Sequence, residues 1–212
     1  MTAERTLAID CATPACSVAL FARGELVAGE FHILGRGHAE RLVPMIAGLP
    51  DRGRADIIAV ARGPGSFTGV RIGLAVARSL AFAWGAQLVG YSTMALVAAM
   101  ARAQEGAQPL TVAMEGGHGE WFVQGFDGSG VATDEPVSMR PEDAVAHYSS
   151  ALVAGTVAED FVARAGEGTA LPLHSDAREY TTLPAHALTA ETAPIYGRGP
   201  DARLPSATGS AT

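Results

Sequence analysis

The sequence contains no lysine; all fifteen of its basic residues are arginine. That absence excludes a Walker-type phosphate lysine, a Schiff-base lysine and a serine–lysine dyad. Cysteine is scarce as well. The two present, Cys11 and Cys16, lie five apart in a strand–turn–strand segment, matching neither a metal knuckle nor a CxxC pair. They read as reduced thiols. The six histidines (His32, His38, His118, His147, His174, His186) contain no HExxH or HxxxH pair, so neither a metal site nor metallopeptidase chemistry is expected. No stretch reaches the ~18 uninterrupted apolar residues of a membrane span. The opening MTAERTLAID, with Glu4 and Arg5 ahead of a short apolar run, does not read as a secretory signal. A soluble cytoplasmic protein with no membrane partner is the expectation. Net positive charge is missing too: at −7 the chain lacks the cations that drive counterion release on nucleic acid, so any contact with RNA would need a basic partner.

What is present is apolar residue: 48% hydrophobic against 17% charged over 212 residues, enough for one large domain or two small lobes with their own cores. Thr6–Cys11, Cys16–Ala22 and Glu25–Phe31 read as three short strands separated by turn signals at Thr13–Pro14 and Arg23–Gly24. His38–Gly48 has a helical apolar period, with Pro44 expected to kink it. Asp56–Arg62 is a continuous apolar strand of the kind buried in a sheet centre. A helix from about Thr68 to Trp84, a strand Gln87–Tyr91 and a helix Ser92–Gln104 follow, the last capped by Ser92 or Thr93. Beyond Glu105–Gln108, a hairpin around GGHG, a helix, a strand and another helix repeat the start in smaller form. The order predicts two related α/β lobes, each a mixed sheet flanked by helices: 1–105, then 106–198, with 199–212 as a disordered tail. The hairpin-linked opening strands exclude a doubly wound dinucleotide fold.

One segment stands out. Arg62–Gly73 (RGPGSFTGVRIG) is a glycine-rich strand-to-helix turn. It fits the dinucleotide fingerprint only halfway, because position 68 is threonine, and without lysine it fails as a P-loop. The backbone amides of Ser66–Gly69 would still welcome an anion at a helix start. The structural reading is favoured: Gly63 and Gly65 permit positive φ, Pro64 stiffens the turn, and Thr68 or Ser66 caps the helix. The helix itself carries small residues every fourth position, Gly69, Gly73, Ala77 and Ala81, while apolar residues spread almost right round its axis. Two readings of that ridge stay open. Either the chain covers it internally, or this helix and His38–Gly48 form a subunit interface through His38, Arg41, Leu42, Met45, Val70, Arg71, Gly73, Leu74, Ala77 and Arg78.

With LAIDCATPACSVAL at the start, ARGPGSFTGVRIGLAVARSLAFAWG in the middle, and GHAERLVPMI, VGYSTMALV, MEGGHGEWFV and APIYGR elsewhere, the sequence resembles the TsaB (YeaZ) family over roughly residues 6 to 198. The resemblance implies an actin/hexokinase/Hsp70-like two-lobed fold. It also implies a non-catalytic dimerisation subunit, the partner of TsaD in placing threonylcarbamoyl on N6 of adenosine 37 of tRNA. TsaE, an ATPase, would join that pair, and the chain would form a homodimer when alone. No cofactor is expected to bind tightly, with ATP or ADP left open at an interface with partners. Three features agree with lost catalysis. Asp10 survives in the first hairpin, but Ala12 narrows a phosphate's approach, leaving Asp10 and Thr13 as a vestigial nucleotide site; Asp10 is expected to accept hydrogen bonds within its turn. His38 has no second histidine one helical turn away. The second hairpin, Glu115–Glu120, lacks the aspartate–arginine pair usual in the family, and its two glutamates read as solvated. Between Pro184 and Ala193 only about eight residues stand where the family has a helix of several turns. The alternative is an ATP-dependent transferase of the same fold acting on its own.

Overall fold

The structure, a computed structural model, describes residues 4–197; the segment 199–212 expected to be a tail lies outside the described residues. Strands β1 (Arg5–Asp10), β2 (Ala15–Ala22) and β3 (Glu25–Ile33) form an antiparallel meander, with Arg5 opposite Ala22 and Asp10 opposite Ser17. The β2–β3 turn at Arg23–Gly24 has φ of 55° and 82°. Two consecutive positive angles match the twist of a tight hairpin. Helix α1 (His38–Gly48) runs unbroken through Pro44. Strand β4 (Ile57–Ala61), helix α2 (Phe67–Trp84), strand β5 (Gln87–Tyr91) and helix α3 (Thr93–Glu105) complete the first lobe. Both β4 and β5 lie parallel to β1, which fits their apolar runs.

The second lobe holds β6 (Leu110–Glu115), β7 (Trp121–Phe126), β8 (Val137–Met139), α4 (Pro141–His147), β9 (Leu152–Ala154), α5 (Ala158–Ala165) and β10 (Thr169–Leu171). Its sheet order, β8-β7-β6-β9-β10, repeats that of β3-β2-β1-β4-β5 in the first lobe. The same order occurring twice makes this the two-lobed actin/hexokinase/Hsp70-like architecture. The short strands β8 and β10 had no readable alternation; they pair only at sheet margins over three residues each.

One helix joins the lobes. On α3, Leu96, Ala99 and Met100 pack into the first core, while Met94, Val97, Ala98 and Ala101 pack into the core beneath β6, β7 and β9. A helix buried on opposite sides must be apolar on both. The boundary after residue 105 is therefore a shared element more than a linker, and a second correction follows at the far end. After β10 the chain returns to the first lobe, where a 3₁₀ turn (Ala177–Thr182) packs on β2 and β3, and β11 (Leu188–Thr189) pairs antiparallel with β5. The second lobe ends near Leu171, not at 198, because β11 extends the first sheet.

Candidate functional site

The site is built around the turn that follows β1. Asp10 is buried at 1% exposure, and its Oδ1 accepts from the Ala12 amide at 2.9 Å, the within-turn role expected of it. Residues 175–177 lie over it: the Ala177 amide donates to Ser17 Oγ at 2.9 Å, and Arg178 grips the Asp176 carboxylate. Burial pushes Asp10 from 3.8 to about 7, opposed by the Ala12 amide and the nearby Ser175 hydroxyl. Oδ2 of Asp10 and Oγ of Ser175 nevertheless complete no hydrogen bond. Burial thus favours the neutral form of this carboxyl in a sealed place, poor conditions for a metal ligand or phosphate partner. Thr13 is also buried; its Oγ1 accepts from the Ala15 amide at 3.2 Å. Beside them the two thiols lie 3.4 Å apart, and the hydrogen bond to Cys16 together with burial holds Cys11 well above the usual range.

The glycine turn is stitched onto this hairpin. The Ser66 amide donates to the Ala12 carbonyl at 2.7 Å. A Cβ on Gly65 would overlap that carbonyl, and one on Gly69 would overlap the carbonyl of Cys11. Only Gly63 has the expected positive φ, 92°; Gly65 is glycine for close approach and not for its dihedral. Pro64 follows Gly63 through a cis peptide bond. Ser66 is the N-cap of α2, its Oγ accepting from the Gly69 amide at 3.2 Å, and Thr68 is exposed and caps nothing.

The interface reading of α1 and α2 is corrected for most of its residues. Val70, Gly73, Leu74 and Ala77 are buried in the first core; a Cβ on Gly73 would rest 3.6–4.0 Å from Cys11, Val60 and Ile9. Leu42 and Met45 are buried in the same core. The small-residue ridge exists because α2 lies close on β1 and β4, its own sheet. His38 is buried too; its Nε2 donates to the Thr13 carbonyl at 3.0 Å, tying α1 to the first turn. Arg41, Arg71 and Arg78 remain exposed.

Two of these arginines, with Arg62, hold the segment 192–196. Arg62 Nε donates to the Ala193 carbonyl at 2.9 Å, Arg78 to the Thr192 carbonyl at 2.8 Å, and Arg71 to the Tyr196 hydroxyl at 3.2 Å. The Ile195 amide adds a bond to the Arg62 carbonyl at 2.8 Å, and Gly197 accepts from the Ser138 amide at 2.6 Å. Sequence reasoning missed this strap, whose one signal was the isolated pair Ile195–Tyr196 in an otherwise polar stretch.

Between the lobes these parts enclose a cleft of about 760 Å³. One wall is the Ala12–Pro14 turn with Gly65–Phe67, Val70 and Arg71; the other is Met114–His118 with Phe122, Ser138 and Thr156, and Ile195–Gly197 closes one side. The Arg71 guanidinium lies 3.5 Å above the Phe67 ring. Glu115 is exposed, while Glu120, expected to be solvated, accepts from Ser138 Oγ at 2.7 Å. Among the described residues no three His, Cys, Asp or Glu side chains are grouped to hold a metal ion.

Fold and site together define a two-lobed actin-like protein whose first-lobe carboxylate is covered and whose inter-lobe cleft is open. A family model described as TsaD: tRNA N6-adenosine threonylcarbamoyltransferase matches residues 32–181. The chain belongs to this family, on its TsaB/YeaZ branch. It is similar to the tRNA threonylcarbamoyladenosine biosynthesis protein TsaB of Escherichia coli K12, 38% identical over 147 residues, covering 65% of this chain and 63% of that protein. The solved structure of YeaZ from Pseudomonas aeruginosa superposes with a TM-score of 0.74 at 27% identity, over 91% of this chain and 99% of that one. The ethanolamine utilization protein EutJ of Carboxydothermus hydrogenoformans, at a TM-score of 0.50 and 14% identity over 87% of this chain and 91% of that one, shares the fold alone. No helix among the described residues is long and apolar enough to cross a membrane.

Proposed function

We propose that the chain serves biosynthesis of threonylcarbamoyladenosine in tRNA as a non-catalytic subunit, binding and supporting a TsaD-type transferase. The observation that carries this reading is the covered Asp10: the acidic group of the first hairpin is turned to its own turn amide and lies under residues 175–177, outside the cleft lining. Relatives whose names place them in that pathway supply the substrate context. The surface offered to the transferase is the outer stripe of α2, Ala75, Ser79 and the 92%-exposed Phe82, with Arg41 and the half-exposed Val43 of α1 nearby. The same stripe serves a homodimer when the chain is alone, and TsaE joins the heterodimer. With a net charge of −7 the chain meets tRNA only through its partners. The protein works in the cytoplasm, where that tRNA is.

Co-expression with TsaD from the same source tests this. The two coelute at mild salt, threonylcarbamoyl transfer to tRNA requires both, and the isolated chain hydrolyses no ATP. Separate elution, with transfer independent of the chain, defeats the proposal. The rival, a self-sufficient ATP-dependent transferase, is favoured by the open cleft between the two hairpins; saturable ATP binding by the isolated chain, lost in Asp10→Ala, would establish it.

A further inference from the structure

We propose that the inter-lobe cleft is a binding site for a small, singly charged aromatic acid, its ring among the apolar walls and its carboxylate on Arg71. The volume, about 760 Å³, falls inside the ~300–1,000 Å³ typical of small-molecule sites. Val70, Met114, Phe122 and Ile195 give the interior its apolar character. Arg71 is the one arginine among the described lining residues, and it has a partner on each side. Its guanidinium rests on the Phe67 ring at 3.5 Å and donates to Tyr196 at 3.2 Å. Both partners are uncharged, and among the described residues no carboxylate pairs with it. A guanidinium has five N–H donors in a fork matched to a carboxylate, so most of its donors remain for a ligand. With Arg71 the one arginine and His118, on the second hairpin, the other basic side chain among the described lining residues, the site suits a ligand of one negative charge. Glu115 stands on the opposite hairpin, and there is no lysine to share a polyphosphate. Gly117 adds room, since a Cβ there meets nothing within 4 Å.

The test uses two fluorescent probes on the full chain: 1-anilinonaphthalene-8-sulfonate, an aromatic monoanion, and N-phenyl-1-naphthylamine, the same ring system without charge. The anionic probe saturates one site per chain and binds at least about tenfold more tightly than the neutral one, the scale of a charge-assisted fork contact. Arg71→Gln removes that tenfold advantage and leaves the neutral probe unaffected, whereas Gly117→Phe weakens both; circular dichroism confirms that each variant is folded. Arg71→Lys, which keeps the charge, recovers part of the lost affinity. The proposal falls if Arg71→Gln leaves the anionic probe unchanged or weakens both probes equally. It also falls if binding does not saturate, or if ADP displaces the probe one for one at micromolar concentration.

Discussion

Replacing Gly65 with alanine tests whether the glycine turn is a packing device. The added Cβ would overlap the Ala12 carbonyl, which is buried and accepts the Ser66 amide at 2.7 Å. Backbone must therefore move on one side or the other. Losing that hydrogen bond in a buried place costs about 1–3 kcal/mol. Forcing the two turns apart adds an overpacking penalty of about 1–3 kcal/mol, so the total is about 2–6 kcal/mol. A domain with ~5–15 kcal/mol of stability loses a large part of it. Urea unfolding followed by circular dichroism reads the loss, and with a slope of roughly 2 kcal/mol per molar the midpoint falls by at least about 1 M. Gly117→Ala is the control, because nothing lies within 4 Å of a Cβ there and its φ is unremarkable; its effect stays within about 0.5 kcal/mol. If Gly65→Ala also stays within 0.5 kcal/mol, the stitching of this turn to the first hairpin is refuted.

The ridge on α2 separates small from large additions. Gly73→Ala places a methyl at ordinary contact distance, 3.6 Å from Cys11 Cβ, and removes a mid-helix glycine, raising stability by up to about 1 kcal/mol; Ala77→Leu, at a fully buried site, lowers it by about 1–3 kcal/mol, both read as thermal midpoints. Asp10 makes stability depend on pH: its carboxyl titrates near 3.8 unfolded and near 7 folded, so its contribution is complete below about pH 4 and lost as pH rises through 7, a change of about 4 kcal/mol. Asp10→Asn keeps the Oδ1 acceptor and removes this slope, leaving the variant more stable than the parent at pH 8; parallel stability–pH curves for the two would show that burial does not govern this group.

Regular elements were legible where one period dominated. β5 and α1 fall on the residues their patterns indicate, and Ser92 caps α3 as its side chain suggests. The repeated hairpin-then-crossover order carried the two-lobed fold. Less legible was which helix is buried on two sides. The apolar circumference of α2 left a partner and the chain's own cover equally open, and Phe82 is exposed on it, whereas α3 fills both cores. Small residues at every fourth position fit any close neighbour, and nothing in spacing distinguishes a second subunit from the chain's own sheet. Of the site, the first hairpin and the glycine turn were legible as separate motifs. Their contact through the Ala12 carbonyl was not, since backbone atoms leave no mark in the sequence beyond the glycines that make room for them.

The strap explains how a shortened C-terminal segment closes the molecule. Between Pro184 and Ala193 there is only a single 3₁₀ turn and a two-residue strand, too little apolar area to hold two lobes by burial. Helix α3, filling both cores, holds the lobes together, and arginines fasten the strap to the first lobe. Three side chains, from β4's end and from two positions seven apart on α2, reach residues more than a hundred positions later and end mainly on neutral oxygens: two carbonyls and a phenol. Such bonds need no carboxylate partner, so salt screens them less than it would a row of surface ion pairs. The strap then crosses to the second lobe, where Gly197 accepts from Ser138. Widening the cleft by moving the lobes apart must stretch that bond or the Arg71–Tyr196 contact at its mouth. A ligand carboxylate on Arg71 would therefore act on the strap that bridges the cleft, and through α2 on the surface proposed for the transferase.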